Sequence, residues 1–227
     1  MRILAIETST EHCSVAFYRE GEVLSRGELA GQRHSEILLA MIEQLMNEAG
    51  GSMRELDGIA FGAGPGSFTG VRIAASVAQG LAFGLDIPVL PVCTLDALAE
   101  ASGRPRVACA LDARLDEVYF AAYERDGDNW RRIVEPCLSA IGELPRLPGE
   151  DWVGVGSGFA ILDKELAHHL QLALVWSDVF PHAHAVAVLG ARLLAAGGAL
   201  DAAAAQPLYL RDKVAMTTQE RHARGYK

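Results

Sequence analysis

Residues 57–84 read DGIAFGAGPGSFTGVRIAASVAQGLAFG. Within them Gly62, Gly64, Gly66 and Gly70 separate a short apolar run, Ile59 to Phe61, from a longer run of small apolar residues. Glycines in such a loop allow positive φ and the close approach of a ligand or of neighbouring backbone. Ser67 or Thr69 can cap a helix that starts near Gly70. The free N–H groups and partial positive charge of that helix head could hold an anion. Two anion motifs are nevertheless excluded. A P-loop needs a Lys directly after its last Gly, and the first lysine of this chain is Lys164. A dinucleotide fingerprint needs a third glycine where Ser67 stands, and only Asp86 lies at the right distance to be its acidic partner.

Metal and thiol chemistry find little support. Of His34, His168, His169, His182 and His184, only His182-x-His184 is a close pair, and it heads an apolar helix beginning near Pro181, where capping or burial describes it better than ligation. Cys13, Cys93, Cys109 and Cys137 are scattered without a Cys-x-x-Cys pair, which argues against a zinc knuckle or a disulfide framework and for small core residues. No residue is assigned to catalysis or to a metal.

The elements around the glycines point to packing. On a helical wheel of about 100° per residue, positions 71 to 84 leave Arg72, Ser76 and Gln79 on one narrow polar face, so the helix should be buried on most sides. Ala74, Ala75, Ala78, Gly80 and Ala82 are small enough to admit another helix closely. A second helix, Ser35 to Ala49, ends at Gly50-Gly51. Its Ile37, Leu38, Leu39, Met41, Ile42, Leu45 and Met46 cover an arc of about 200°, roughly twice the stripe one packed face needs. Residues 2–9, 13–18 and 22–29 read as three consecutive antiparallel strands, 87–92 as another strand and 95–101 as a short helix.

With 227 residues and 50% hydrophobic content the chain can bury a sizeable core. The apolar stretch at Ile3–Ile6 is too short for a signal sequence, and Arg72, Gln79, Asp86 and Pro88 interrupt the best candidate for a membrane span, so the expectation is a cytoplasmic protein with no membrane contact. The net charge of −9 and the lack of a basic patch argue against tight binding of nucleic acid by the chain alone. The tail RDKVAMTTQERHARGYK reads as a solvated or frayed end.

The chain also repeats itself. LDARLDEVYFAAYERDGD (111–128) resembles IETSTEHCSVAFYREGE (6–22): in each, an apolar strand ends in a carboxylate, Asp112 or Glu7, and leads into a hairpin strand with a tyrosine and a turn glycine. The pair DGIAFGAGPG (57–66) and DWVGVGSGFA (151–160) echoes in the same order, which suggests a duplicated fold. Duplicated halves that open with a carboxylate at the end of strand one resemble the actin, sugar-kinase and Hsp70 superfamily. The resemblance implies an α/β fold of two tandem ribonuclease-H-like domains, 1–103 with dimerisation helices and 104–227 as a degenerate copy whose C-terminal tail packs back on the first.

More narrowly, LAIETST, GAGPGSFTGVRIAASVAQGLA, LDARLDEVYFAAY and PLYLRDKVA (207–215) closely resemble the TsaB (YeaZ) family nearly end to end, most specifically over Gly64–Arg72. That resemblance implies a bacterial protein needed to make threonylcarbamoyladenosine at position 37 of tRNAs reading codons that start with A. It would act with its catalytic paralogue TsaD and the ATPase TsaE, pair with itself when alone, and meet tRNA only through the complex. The catalytic relative carries a His-x-x-x-His pair at the head of the helix after the strand matching 87–92; an ungapped comparison puts Thr94 and Leu98 there, neither a useful ligand. Glu7 and Asp112 sit where superfamily ATPases hold magnesium, but the glycines that normally follow them are absent. The implied cleft, with Glu7, Asp112, Gly156 and Gly158, is degenerate. It holds no cofactor tightly and retains at most weak ATP or ADP affinity, and the two carboxylates are satisfied by nearby backbone or Arg groups.

Two functions from different classes follow. One is a non-catalytic partner of a TsaD-like enzyme, docking through Leu38, Met41, Ile42, Leu45 and Met46 of the first helix and Ala74, Ala75, Ala78 and Ala82 of the second in a four-helix bundle. The other is a nucleotide- or metal-dependent transferase or hydrolase that uses the interdomain cleft. The missing His pair and the wide apolar arcs favour the first.

Overall fold

The computed structural model describes residues 1–161 and 163–211. Most of the basic tail and the end of the PLYLRDKVA stretch lie outside the described residues.

The chain opens with an antiparallel meander, β1 (Arg2–Glu7), β2 (His12–Arg19) and β3 (Glu22–Leu29). There follow α1 (His34–Glu48), β4 (Gly58–Gly64), α2 (Phe68–Leu85), β5 (Val89–Cys93) and α3 (Thr94–Ser102). β4 and β5 join in parallel, so the sheet runs β3-β2-β1-β4-β5. The rest of the chain supplies β6 (Arg106–Arg114), β7 (Glu117–Asp126), β8 (Asn129–Ala140), β9 (Val153–Val155), α4 (Gly158–Ile161), α5 (Asp163–His169), β10 (Leu174–Trp176) and α6 (Ala183–Ala195). Its sheet, β8-β7-β6-β9-β10, has the same order and the same alternation of antiparallel and parallel pairs. The echoes in the sequence therefore correspond to equivalent strands, β6–β7 to β1–β2 and β9 to β4. The copies differ where a helix equivalent to α1 would stand, since β8 leads only into a 3-10 turn, Ile141–Glu143.

Alternation along each strand builds four apolar layers. Leu4 and Ile6 face α1 and α2, while Ile3 and Ala5 face the opposite side. That opposite side is covered from far along the chain: Ala183, Val186, Ala187 and Ala191 of α6 pack on Ile3, Ala5, Ala16 and Ala60. Gly190 lets α6 settle onto the sheet, because a Cβ there would come within 2.7 Å of the Ala60 methyl. Conversely, Leu95, Leu98 and Ala99 of α3 pack on Val107, Cys109 and Leu111 of the second sheet. Each sheet's inner face is thus covered by the helix that ends the other half.

A part-buried ionic knot joins these parts. Glu100 of α3 accepts hydrogen bonds from Arg125 Nη1 on β7 (2.7 Å), Trp130 Nε1 on β8 (2.6 Å) and both Arg192 Nη atoms on α6 (3.3 and 3.1 Å). Burial pushes the Glu100 carboxyl up, but the donors from Trp130, Arg192 and Arg125 outweigh it and hold the group below its ordinary value.

By length and composition α2 could cross a membrane, although the sequence reading sets that aside. Here Val71, Ala74, Ala75, Ala78 and Ala82 bury one face of it on the sheet. It is not buried on most sides, since Phe68, Ser76, Gly80, Phe83 and Gly84 are exposed.

Candidate functional site

The glycine loop closes on the chain itself. α2 begins at Phe68, capped by Ser67, whose Oγ accepts from Gly70 N. The loop lies against the turn after β1: Ser67 N donates to Ser9 O (2.7 Å), and Thr8 Oγ1 donates to Gly70 O (2.8 Å). A Cβ at Gly66 would meet Ser9 O at 2.5 Å, and one at Gly70 would overlap Thr8 O. Gly64, at φ +110°, faces the carbonyl of Leu208 and donates its N–H to Thr94 Oγ1 (3.1 Å). Gly62 lies against the carboxyl of Glu7, which a Cβ would overlap. The backbone approach that these glycines allow is taken up by Glu7, Thr8, Ser9 and Leu208.

Between the two sheets opens a cleft of about 990 Å³, bordered by Ser9–Glu11, the loop and head of α2, Leu111–Leu115, Ser157 and the segment 208–211. Of the four residues expected to form a nucleotide cleft, only Asp112 borders it, which corrects the other three. Glu7 is fully buried; its Oε1 accepts from Ser9 N (2.6 Å) and its Oε2 has no partner among the described residues. Burial pushes its carboxyl above the ordinary 4.5 against the hydrogen bonds from Ser9 and Thr8. Gly156, at φ +104°, and Gly158 press on β6 instead, where a Cβ would reach Ala110 O at 2.5 Å and Ala110 Cβ at 2.9 Å. Asp112 is spoken for as well, accepting from Arg114 N (2.8 Å) and pairing with the Arg114 guanidinium (3.0 Å).

This donor set does not fit magnesium-bound nucleotide. One carboxyl is buried, which favours its neutral form, the other is paired with the exposed guanidinium of Arg114, and neither turn after them is a glycine-rich phosphate cradle. The positions matching the relative's His pair are also filled. Thr94 is buried and closes the glycine loop, and Leu98 is buried, its Cδ2 within 2.8 Å of where Gly156 would carry a Cβ. Among the described residues no cluster of His, Cys, Asp or Glu could hold a metal. His182 Nδ1 caps α6 by accepting from His184 N (3.1 Å), and desolvation by burial, with His12 and His184 close by, brings His182 down to about 4. Burial pushes the thiols up, Cys13 to about 11 and Cys93 to about 12, so neither is a ready thiolate.

The helix pair needs the largest correction. Leu38, Met41, Ile42, Leu45, Met46, Ala74, Ala75, Ala78 and Ala82, expected to form a docking surface, are all buried in the chain's own core. The exposed part of the apolar arcs belongs to other residues. Leu39 is 60% exposed, Phe68 52% and Phe83 77%, and between the helices lies an apolar groove of about 350 Å³ lined by Leu38, Leu39, Phe68, Arg72, Ile73 and Val77, with Ser35, Thr69 and Ser76. The guanidinium of Arg72 lies 3.2 Å from the centroid of the Phe68 ring and 5.0 Å from that of Tyr209. Nothing in residue type or spacing marks Phe68, Tyr209 or Arg211. The only signal was their place inside the two motifs GPGSFTGVR and PLYLRDKVA.

The two five-stranded mixed sheets of matching order define an α/β protein consistent with the actin, sugar-kinase and Hsp70 architecture. The family model described as TsaD, tRNA N6-adenosine threonylcarbamoyltransferase, matches residues 25–219. The tRNA threonylcarbamoyladenosine biosynthesis protein TsaB of Escherichia coli (strain K12) is 37% identical over 226 residues, 95% of this chain and 96% of that protein. The protein of the same name from Haemophilus influenzae is 36% identical over 94% of this chain and 95% of its own. The structure of YeaZ from Pseudomonas aeruginosa superposes with a TM-score of 0.84 at 38% identity, covering 92% of this chain and 99% of that one. The chain belongs to the TsaB (YeaZ) family.

Proposed function

We propose that this chain is a non-catalytic partner of a TsaD enzyme in forming threonylcarbamoyladenosine at position 37 of tRNAs that read codons starting with A. With TsaD and the ATPase TsaE it supports transfer of the threonylcarbamoyl group from threonylcarbamoyl-adenylate. The observation that carries this reading is the pair Thr94 and Leu98: where the catalytic relative has two histidines, this chain has a loop-closing hydroxyl and a core leucine. The family names of its relatives give the pathway.

In this reading residues 1–103 and 104–227 are two actin-like domains, and the chain works in the cytoplasm and pairs with itself when its partner is missing. Docking uses the exposed stripe of α1 and α2, with Leu39, Phe68, Ser76 and Phe83, because an uncovered apolar surface of this kind marks an interaction site. tRNA is met only through the complex, since the formal charge of −9 opposes phosphate contacts. Nucleotide binding to the chain alone is at most weak. The alternative, a transferase or hydrolase in the cleft, is disfavoured by the Asp112–Arg114 pair and the sealed Glu7.

The test is reconstitution. The chain is purified with and without a TsaD-type enzyme, and each sample is supplied with tRNA and threonylcarbamoyl-adenylate. Modification only when both are present supports the reading; modification by the chain alone overturns it.

A further inference from the structure

The segment 207–211 crosses the mouth of the cleft. It forms no strand, Leu208 and Tyr209 are exposed, and its described anchors are few. On one side Leu208 N donates to Ala63 O (2.7 Å), at the end of β4. On the other, Arg211 Nη2 donates to Ala113 O (3.0 Å) and pairs with Glu117 Oε2 (2.7 Å), on β6 and β7. Midway, the Tyr209 ring lies 6.4 Å from Phe68 and beside Arg72. The segment therefore ties the first sheet to the second, and sparse burial makes such a tie one of the first places to open locally.

What it ties down is itself under tension. Arg114, the last residue of β6, and Leu115 and Asp116, the turn into β7, are three consecutive non-glycine residues at φ +66°, +58° and +59°. Side chains disfavour that conformation, so surrounding contacts must hold it, and Arg211 on Ala113 O is one of them.

Phe68 connects this tie to the groove on the outer face of α1 and α2. Phe68, Thr69 and Ile73 border both the groove and the cleft, so the two cavities share a wall one side chain thick. We propose that residues 207–211 are a strap across the cleft and that the Phe68–Tyr209 contact makes its release depend on what fills the α1–α2 groove. A partner packed on the outer face of Phe68 fixes that ring, and with it the seat of Tyr209. An unfilled groove leaves the ring free to turn and the strap free to lift. The identity of the groove's occupant rests on the docking reading above; the link from Phe68 to the strap does not.

Hydrogen exchange at the Leu208 amide reports the strap directly, because its acceptor is Ala63 O. In the full-length chain alone, Phe68→Ala should speed exchange of that amide about three- to tenfold, the range an aromatic pair contributes to a local opening. Phe83→Ala, at the far end of α2 and more exposed than Phe68, should leave it unchanged. Arg211→Gln should also speed it, and the Arg114–Asp116 amides with it. With a TsaD-type enzyme bound at the groove, shown by loss of binding in Leu39→Glu, the Leu208 amide should exchange more slowly than in the free chain. Unchanged exchange in Phe68→Ala overturns the link, whatever the enzyme does. Binding at the groove without slower exchange overturns the partner's control of the strap. If the enzyme fails to bind there, the docking reading and partner control both fall, while Phe68→Ala still decides the link.

Discussion

The carboxyl group of Glu7 lies where residue 62 would carry a side chain, so the acid and Gly62 fit only because one of them has none. Glu7 is fully buried at the end of β1, and Gly62 lies within β4, directly after Phe61.

Gly62→Ala should therefore destabilise the chain by about 1–3 kcal/mol through overpacking, read as a lower midpoint in urea unfolding. Removing the opposing group should relieve it. In a double-mutant cycle with Glu7→Ala the two costs should fall well short of additive, and additivity would show that the two groups do not compete for space.

Glu7 and Glu100 should give opposite signatures with pH. Burial raises the folded-state value of Glu7 above 4.5, so its favourable contribution is complete below the unfolded value and is lost as pH rises through the folded one. Glu7→Gln should accordingly gain on the wild type from about pH 4.5 upward, with the gap closing in acid. Glu100 is held low, so its contribution is present above about 4.5 and lost as pH falls through its folded value. Glu100→Gln, which breaks a part-buried ionic knot, should cost about 1–3 kcal/mol at neutral pH and progressively less in acid. Thermal melts from pH 3 to 8 of both variants test the pair of signs.

Charges on the two sides of α1 should act differently. Leu45 is completely buried, so Leu45→Glu should unfold the chain rather than split a complex. Leu39→Glu or Ser76→Arg, on the exposed stripe, should leave the melting temperature within a few degrees while weakening pairing roughly a thousandfold, as sedimentation would show, and abolishing modification in the reconstituted system. Full pairing and activity in both stripe variants would move the docking surface elsewhere.

Restoring the histidines should not restore a metal. In Thr94→His with Leu98→His the imidazoles stand four apart on α3, but both positions are core and Leu98 is pressed on the Gly156 turn. The variant should bind no stoichiometric iron or zinc by elemental analysis and should lose about 2–5 kcal/mol of stability. A metal retained through dialysis would show that the site needs only its ligands.

Much of the architecture was legible because it is written in period and repeat. The meander of Arg2–Leu29 shows alternation and turn residues, and the echo of 6–22 in 111–128 predicts two sheets of one order. The helical wheel fails on direction. It gives α1 an arc of about 200° but cannot say which part meets the chain's own sheet, so it assigns to a partner the nine residues that the first core takes, and leaves Leu39, though inside the arc, and Phe68 out of the docking surface. Glycine spacing likewise shows that something comes close to residues 62–70, but the visitor, Glu7 to Ser9, is more than fifty residues away. The missing counterpart of α1 in the second half leaves no periodic signal to read at all.

The exchange of cover between the two halves has a consequence for how the chain is made. While only residues 1–103 exist, Ile3, Ala5, Ala16 and Ala60 have no lid, because α6 is not yet synthesised. The growing polypeptide must carry an unfinished apolar face until residues 183–195 emerge, a window in which aggregation or chaperone capture competes with folding. Once α3 and α6 have changed places, neither half can melt without uncovering the other, so the two sheets should unfold in a single transition. A severed 1–103 piece should be insoluble alone and recover only when 104–227 is supplied beside it.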